Sequence, residues 1–173
     1  MERLYTISAL TENSPGVLHR ITVVFTKRKI NIESLTVSET EIRGLSRFTI
    51  VVRIPENLAS TVVKQINRIV EVREVFANED TELISREIAL IRVAAADPEK
   101  RRAVEETALR HKAIVAYAEE DALMIEATGT EDDLRSLYQL LEPFGIEEFV
   151  RSGRIALTKS HRAKSDHRHA AYS

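Results

Sequence analysis

The chain has 173 residues, no cysteine, and 25 basic against 27 acidic side chains, for a formal net charge of -2. That length suits one domain or two small ones, and the missing cysteine excludes a disulfide framework, thiol catalysis and Cys-ligated zinc, as expected of a reducing, cytoplasmic setting. Near-balanced charge provides no global attraction to nucleic acid or acidic membranes, and no apolar run approaches the roughly 20 residues that span a bilayer. The N-terminus MERLYTISAL lacks the basic and long apolar blocks of a signal peptide, so a soluble protein is expected.

From Leu4 to Thr11 the residues Leu4, Thr6 and Ser8 alternate with Tyr5, Ile7 and Ala9, the pattern of a strand whose sheet is covered by helices on one face. The stretch Glu12 to Leu35, ENSPGVLHRITVVFTKRKINIESL, follows. Ser14 suits a helix N-cap and Pro15 the first helical position, with Leu18, Ile21 and Phe25 at helical spacing. Such a start leaves the N–H groups of Gly16, Val17 and Leu18 free at the positive end of the helix dipole, where a small anion such as a carboxylate can sit. Gly16 permits close approach to the backbone, and Asn31 offers an amide that both donates and accepts.

Asn31 to Thr40 reads as a second strand and Ile42 to Leu45 as a turn carrying Gly44. Phe48, Ile50, Val52 and Ile54 form the inward side of a third strand. After Pro55, the residues Leu58, Val62, Ile66 and Ile69 mark a second helix before a strand from Val70 to Ala77. The polar run NEDTE, Asn78 to Glu82, is the expected linker, dividing the chain into domains at 1–78 and 83–158.

The second unit repeats the order. Ile84 to Ala95 is an apolar strand, and Asp97-Pro98 starts a helix to His111 with only a thin stripe at Val104 and Ala108. Strands from Ala113 to Glu119 and from Ala122 to Thr128 flank a tight acidic turn, and Thr130 begins a helix with an apolar face at Leu134, Leu137, Tyr138 and Leu141. Pro143 and Gly145 end it. Ile146 to Leu157 is the last strand, with Gly153 marking a bulge or bend, and residues 159–173, KSHRAKSDHRHAAYS, read as a disordered tail.

The fold class is therefore α+β, two tandem ferredoxin-like βαββαβ sandwiches. Helices cover one face of each sheet. The other face needs a partner, and apolar residues on both sides of the fifth strand, Ile88 and Leu90 against Ile91 and Val93, point to oligomerisation.

No catalytic constellation is evident. His19 and His111 belong to no motif, and the acidic pairs Glu105-Glu106, Asp132-Asp133 and Glu147-Glu148 diverge on a helix or strand. His161, His167 and His169 lie in the tail without a rigid second shell, so no functional metal site is expected. The βαββαβ order is shared with RNA-recognition motifs, but the third strand LSRFTIVVRI carries one aromatic, Phe48, where stacking on bases needs several.

The runs ENSPGVLHRITVVFTKR, NIESLTV and LSRFTIVV resemble the N-terminal ACT domain of the small, regulatory subunit of acetolactate synthase, also called acetohydroxyacid synthase. ISREIALIRV and EPFGIEEFVRSGRIAL resemble later segments of the same family, which extends the resemblance to about Leu157. It implies a non-catalytic chain that activates a large subunit carrying thiamine diphosphate, Mg and FAD, and that transmits feedback inhibition by valine or another branched-chain amino acid. It also implies ACT dimers with effector sites at their interface. Asn13, Gly16, Val17 and Leu18 would then form the effector loop, faced by Asn31 and Ile32 of the neighbouring chain. Lys29 stands where the family usually has glycine, and in a left-handed conformation it costs about 1 kcal/mol. The alternative is a stand-alone ACT-type amino-acid sensor with a different client enzyme.

Overall fold

The structure, a computed structural model, describes residues 1–159. Its first half runs β1 (Arg3–Glu12), α1 (Val17–Thr26), β2 (Ile32–Glu39), β3 (Leu45–Ile54), α2 (Glu56–Ile66) and β4 (Val72–Glu79). Its second runs β5 (Leu83–Ala94), α3 (Pro98–Arg110), β6 (Ile114–Ala118), β7 (Ala122–Gly129), α4 (Glu131–Leu141), β8 (Ile146–Arg151) and β9 (Ile155–Thr158). Paired strands are antiparallel throughout. The strand orders are β2-β3-β1-β4 and β6-β7-β5-β8, so the second sheet repeats the topology of the first and the α+β, twice ferredoxin-like architecture stands.

The alternation in β1 sends Tyr5, Ile7 and Ala9 into a core shared with Phe48, Ile50, Val52 and Ile54 of β3, as their spacing requires. The helices close that core with Val17, Ile21, Val24 and Phe25 from α1 and Ala59, Val62 and Ile66 from α2. Phe48 is buried there, so it offers no surface for stacking on a base. The second core gathers Ala89, Ile91 and Val93 with Leu123, Ile125, Leu134, Leu137 and Leu141, while α3 contributes only Val104 and Ala108. Asp97 caps α3 through Lys100 N at 3.1 Å, and Thr130 with Asp133 forms a capping box on α4.

The start of α1 departs from expectation. Ser14 is not the N-cap and Pro15 is not in the helix: Gly16 holds the cap position with φ 85 and ψ -9, and no side chain among the described residues caps the end. Pro15 and Gly16 instead occupy the centre of a type II-like turn, a proline followed by a residue at positive φ. The phase shifts accordingly. Val17, Ile21, Val24 and Phe25 face the core, whereas Leu18 is 46% exposed.

The expected linker is short and held in place. β4 continues to Glu79, a turn of 3-10 helix occupies Asp80–Glu82, and Lys159 ties back to it through its N–H to Glu82 O and its ammonium to Thr81 O, both at 2.9 Å. The last strand is broken as Gly153 suggested: β8 and β9 both pair with β5, separated by a bulge at residues 152–154. Among the described residues no helix is long and apolar enough to cross a membrane.

Candidate functional site

The loop between β1 and α1 is held from both sides. Glu12 N donates to Glu71 O at 2.8 Å, and Asn13 N to Gly44 O at 2.7 Å, which ties the loop to the approach to β4 and to the β2–β3 turn. Gly16 O then accepts from Arg20 N at 3.0 Å, while the N–H groups of Gly16, Leu18 and His19 donate to no backbone or capping group among the described residues. An uncapped helix start with outward N–H groups favours an anion. Gly16 at positive φ is required for the turn, and its exposed Cα lets a ligand reach the backbone.

Arg20, which the sequence does not single out, lies over this turn. A β-carbon on Gly16 would stand 3.1 Å from Arg20 Nη1, and the same guanidinium pairs with Glu71. Its position four residues after Gly16, one helical turn on, is the signal that could have found it. A second pair, Arg73 with Glu12, flanks the loop. The anion-favouring end of α1 thus has a cation beside it.

Asn13, Gly16 and Leu18 are exposed here, but Val17 is 2% exposed and belongs to the chain's own core. Its side chain joins Ile21 and Phe25 in the first core cluster. Leu18 is the apolar side chain that faces out.

Asn31 and Ile32 lie elsewhere. Ile32 aligns with Val52, which aligns with Tyr5, whereas the loop follows Glu12, beyond the level where Thr11 meets Ser46. Tyr5 and Thr11 are about 20 Å apart along β1 at ~3.3 Å per residue. One chain therefore brings Asn13, Gly16 and Leu18 to one end of its sheet and Asn31 with Ile32 to the other.

Lys29 is left-handed, φ 55, so the cost of a non-glycine residue in that conformation applies here. Lys29 N bonds Thr26 O at 3.0 Å and Ile30 N bonds Phe25 O at 3.1 Å, the two bonds of a Schellman motif with lysine at the usual glycine position. Lys112, φ 57, closes α3 in the same way, with Lys112 N to Leu109 O and Ala113 N to Ala108 O. Among the described residues no group of three His, Cys, Asp or Glu side chains could hold a metal ion; His161, His167 and His169 lie outside them.

Comparison with known proteins agrees with this arrangement in both halves. Residues 7–74 match the model of the AHAS small subunit-like ACT domain, and residues 86–160 that of the small subunit of acetolactate synthase. The acetolactate synthase small subunit of Mycobacterium bovis is 39% identical over 160 residues, 92% of this chain and 95% of that protein. The small subunit of Bacillus subtilis is 36% identical over 166 residues, 95% of each. The crystal structure of the acetolactate synthase small subunit from Thermotoga maritima superposes with a TM-score of 0.83 at 29% identity, covering 91% of this chain and 98% of that one. With sequence matched along nearly its full length and both sheets superposing, the chain belongs to the acetolactate synthase small-subunit family.

Proposed function

We propose that this chain is the non-catalytic regulatory subunit of an acetolactate synthase, that it activates the catalytic large subunit, and that it carries feedback inhibition by valine or a related branched-chain amino acid. Residues 1–78 are the effector-binding and dimerising ACT domain, and residues 83–158 a second unit. Thiamine diphosphate, Mg and FAD belong to the large subunit, and both proteins work in the cytoplasm.

The observation that carries this reading is the separation of the two half-sites. Among the described residues β2 is an unpaired edge of its sheet, with Ile32 at one end and Glu39 at the other, level with Ser46 and Thr11. Antiparallel pairing of two β2 edges about a two-fold axis would carry Asn31 and Ile32 of one copy to the Glu39 end of the other, the end that bears the Asn13–Leu18 loop. A homodimer thus completes what a single chain leaves apart. The effector's carboxylate meets the α1 N–H groups and Arg20, its ammonium meets Asn31, and its branched tail rests on Leu18 and Ile32.

Mixed dimers test the shared site. Gly16→Asp and Asn31→Ala each ruin both sites of their own dimer, but a dimer of one with the other keeps one intact pair of halves. Calorimetry should find no valine binding to either variant alone and one site per dimer in the mixture. Binding that stays absent in proven mixed dimers would contradict a site shared between chains.

A further inference from the structure

The face of the first sheet away from its helices carries Thr6, Ser8, Ser34, Thr36 and Thr49, and the bulge between β8 and β9 is seated on it. Gly153 is the closest point. A β-carbon there would collide with Thr36 Oγ1 and stand 2.9 Å from Ser34 Oγ and 3.4 Å from Leu35 O, all on β2. Among the described residues Ser34 Oγ and Thr36 Oγ1 are buried without a hydrogen-bond partner, and the bulge meets β2 there by close packing.

Beside it Arg154, 5% exposed, reaches Asp80 Oδ1 at 2.7 Å, Thr6 Oγ1 at 3.4 Å, Glu87 Oε1 at 3.8 Å and Glu131 Oε2 at 3.9 Å. Arg151 adds contacts to Glu87 at 3.2 Å and Glu131 at 3.7 Å. Ser152 is fixed to β5 by Ser152 N to Ile88 O at 2.9 Å and Ile88 N to Ser152 Oγ at 3.0 Å. The bulge is therefore rigid with respect to β5 and α4. Pulling a buried cation from its carboxylates is strongly unfavourable, so a push on Gly153 moves the second sheet rather than the bulge alone.

β2 is the strand that begins with Ile32. Its register on β3 slips between Ile32 and Ser34, so the irregularity sits between the proposed effector contact and the residues under Gly153. We infer that the Ser152–Arg154 bulge is the contact through which a change at Asn31 and Ile32 reaches the second sheet, an inference that rests on the effector reading above. Binding and response then separate. The effector occupies the end of β2, and inhibition requires the unstrained seat of Gly153 on Ser34 and Thr36.

The test uses the full chain with its large subunit and valine as the probe, measuring valine affinity by calorimetry and inhibition of acetolactate formation in parallel. Gly153→Ala should leave valine affinity within about twofold of wild type while the extent of inhibition at saturating valine falls about tenfold, and Ser34→Ala with Thr36→Ala added to Gly153→Ala should restore inhibition by removing both close contacts. Should Gly153→Ala fail to fold by circular dichroism, Arg154→Lys, which keeps the charge but not the planar fork, should show the same split. Unchanged inhibition in a folded variant would overturn the inference, as would parallel loss of binding and inhibition. A wild-type chain that binds no valine would instead overturn the effector reading itself, and this inference with it.

Discussion

Arg154 donates to Asp80 Oδ1 at 2.7 Å from a position almost wholly withdrawn from solvent, and so ties the entry of β9 to the turn joining β4 to β5. Replacing it by alanine leaves the buried Glu87 short of a cation. We expect Arg154→Ala to cost about 3 kcal/mol, because removing one partner strands the charge of the other. Urea unfolding of the full chain measures this, and a loss below about 1 kcal/mol would show that the seam is not held by its charges.

Glu87 supplies a pH signature of the same seam. Burial pushes its carboxyl above the ordinary value of 4.5, and Glu131 adds to the rise while Arg151 and Arg154 oppose it. The folded chain thus binds this proton more tightly than the unfolded one, and the stability it contributes falls as pH rises from 4.5 through the raised folded value. Wild type should lose stability relative to Glu87→Gln over that interval, as read by urea unfolding at stepped pH. A wild type that gains on the variant with rising pH would reverse the assigned cause.

Much of the fold is legible in the sequence because it is written in local period. Tyr5, Ile7 and Ala9 alternate, Leu134, Leu137 and Leu141 recur at helical spacing, and both patterns appear in the cores. Pro15-Gly16 is ambiguous by the same rules, since the pair fits either a first helical turn or the centre of a type II turn, and choosing the former misplaces Ser14 and exchanges the roles of Val17 and Leu18. The seam was not legible at all. Thr6 and Arg154 are brought together by the docking of two sheets, and no periodicity records that. For the candidate site, Gly16 and Asn31 could be singled out individually, but their separation by the length of the sheet depends on strand order.

Both helix ends held by left-handed lysines are open to improvement. Lys29→Gly and Lys112→Gly should each stabilise the chain by about 1 kcal/mol, because glycine adopts positive φ without the clash of a β-carbon. Thermal unfolding of each variant checks this, and a lower melting temperature in either would contradict it. Since Lys29 precedes Asn31 by two residues, valine affinity measured on Lys29→Gly also reads whether this turn sets the effector half-site.

Gly16→Asp bears on the other half. At φ 85 any side chain is strained, the new β-carbon would lie 3.1 Å from Arg20 Nη1, and the added carboxylate would take the place proposed for the effector's own. Valine binding by calorimetry should fall below detection while stimulation of the large subunit persists. Undiminished affinity in the folded variant would remove this turn from the site.

The proposed regulatory role is decided by acetolactate formation by the matching large subunit, measured with and without this chain as valine is titrated. Stimulation by the chain and its progressive reversal by valine are the expected result. A large subunit whose rate is the same with and without the chain would contradict it and favour a sensor with a different client enzyme.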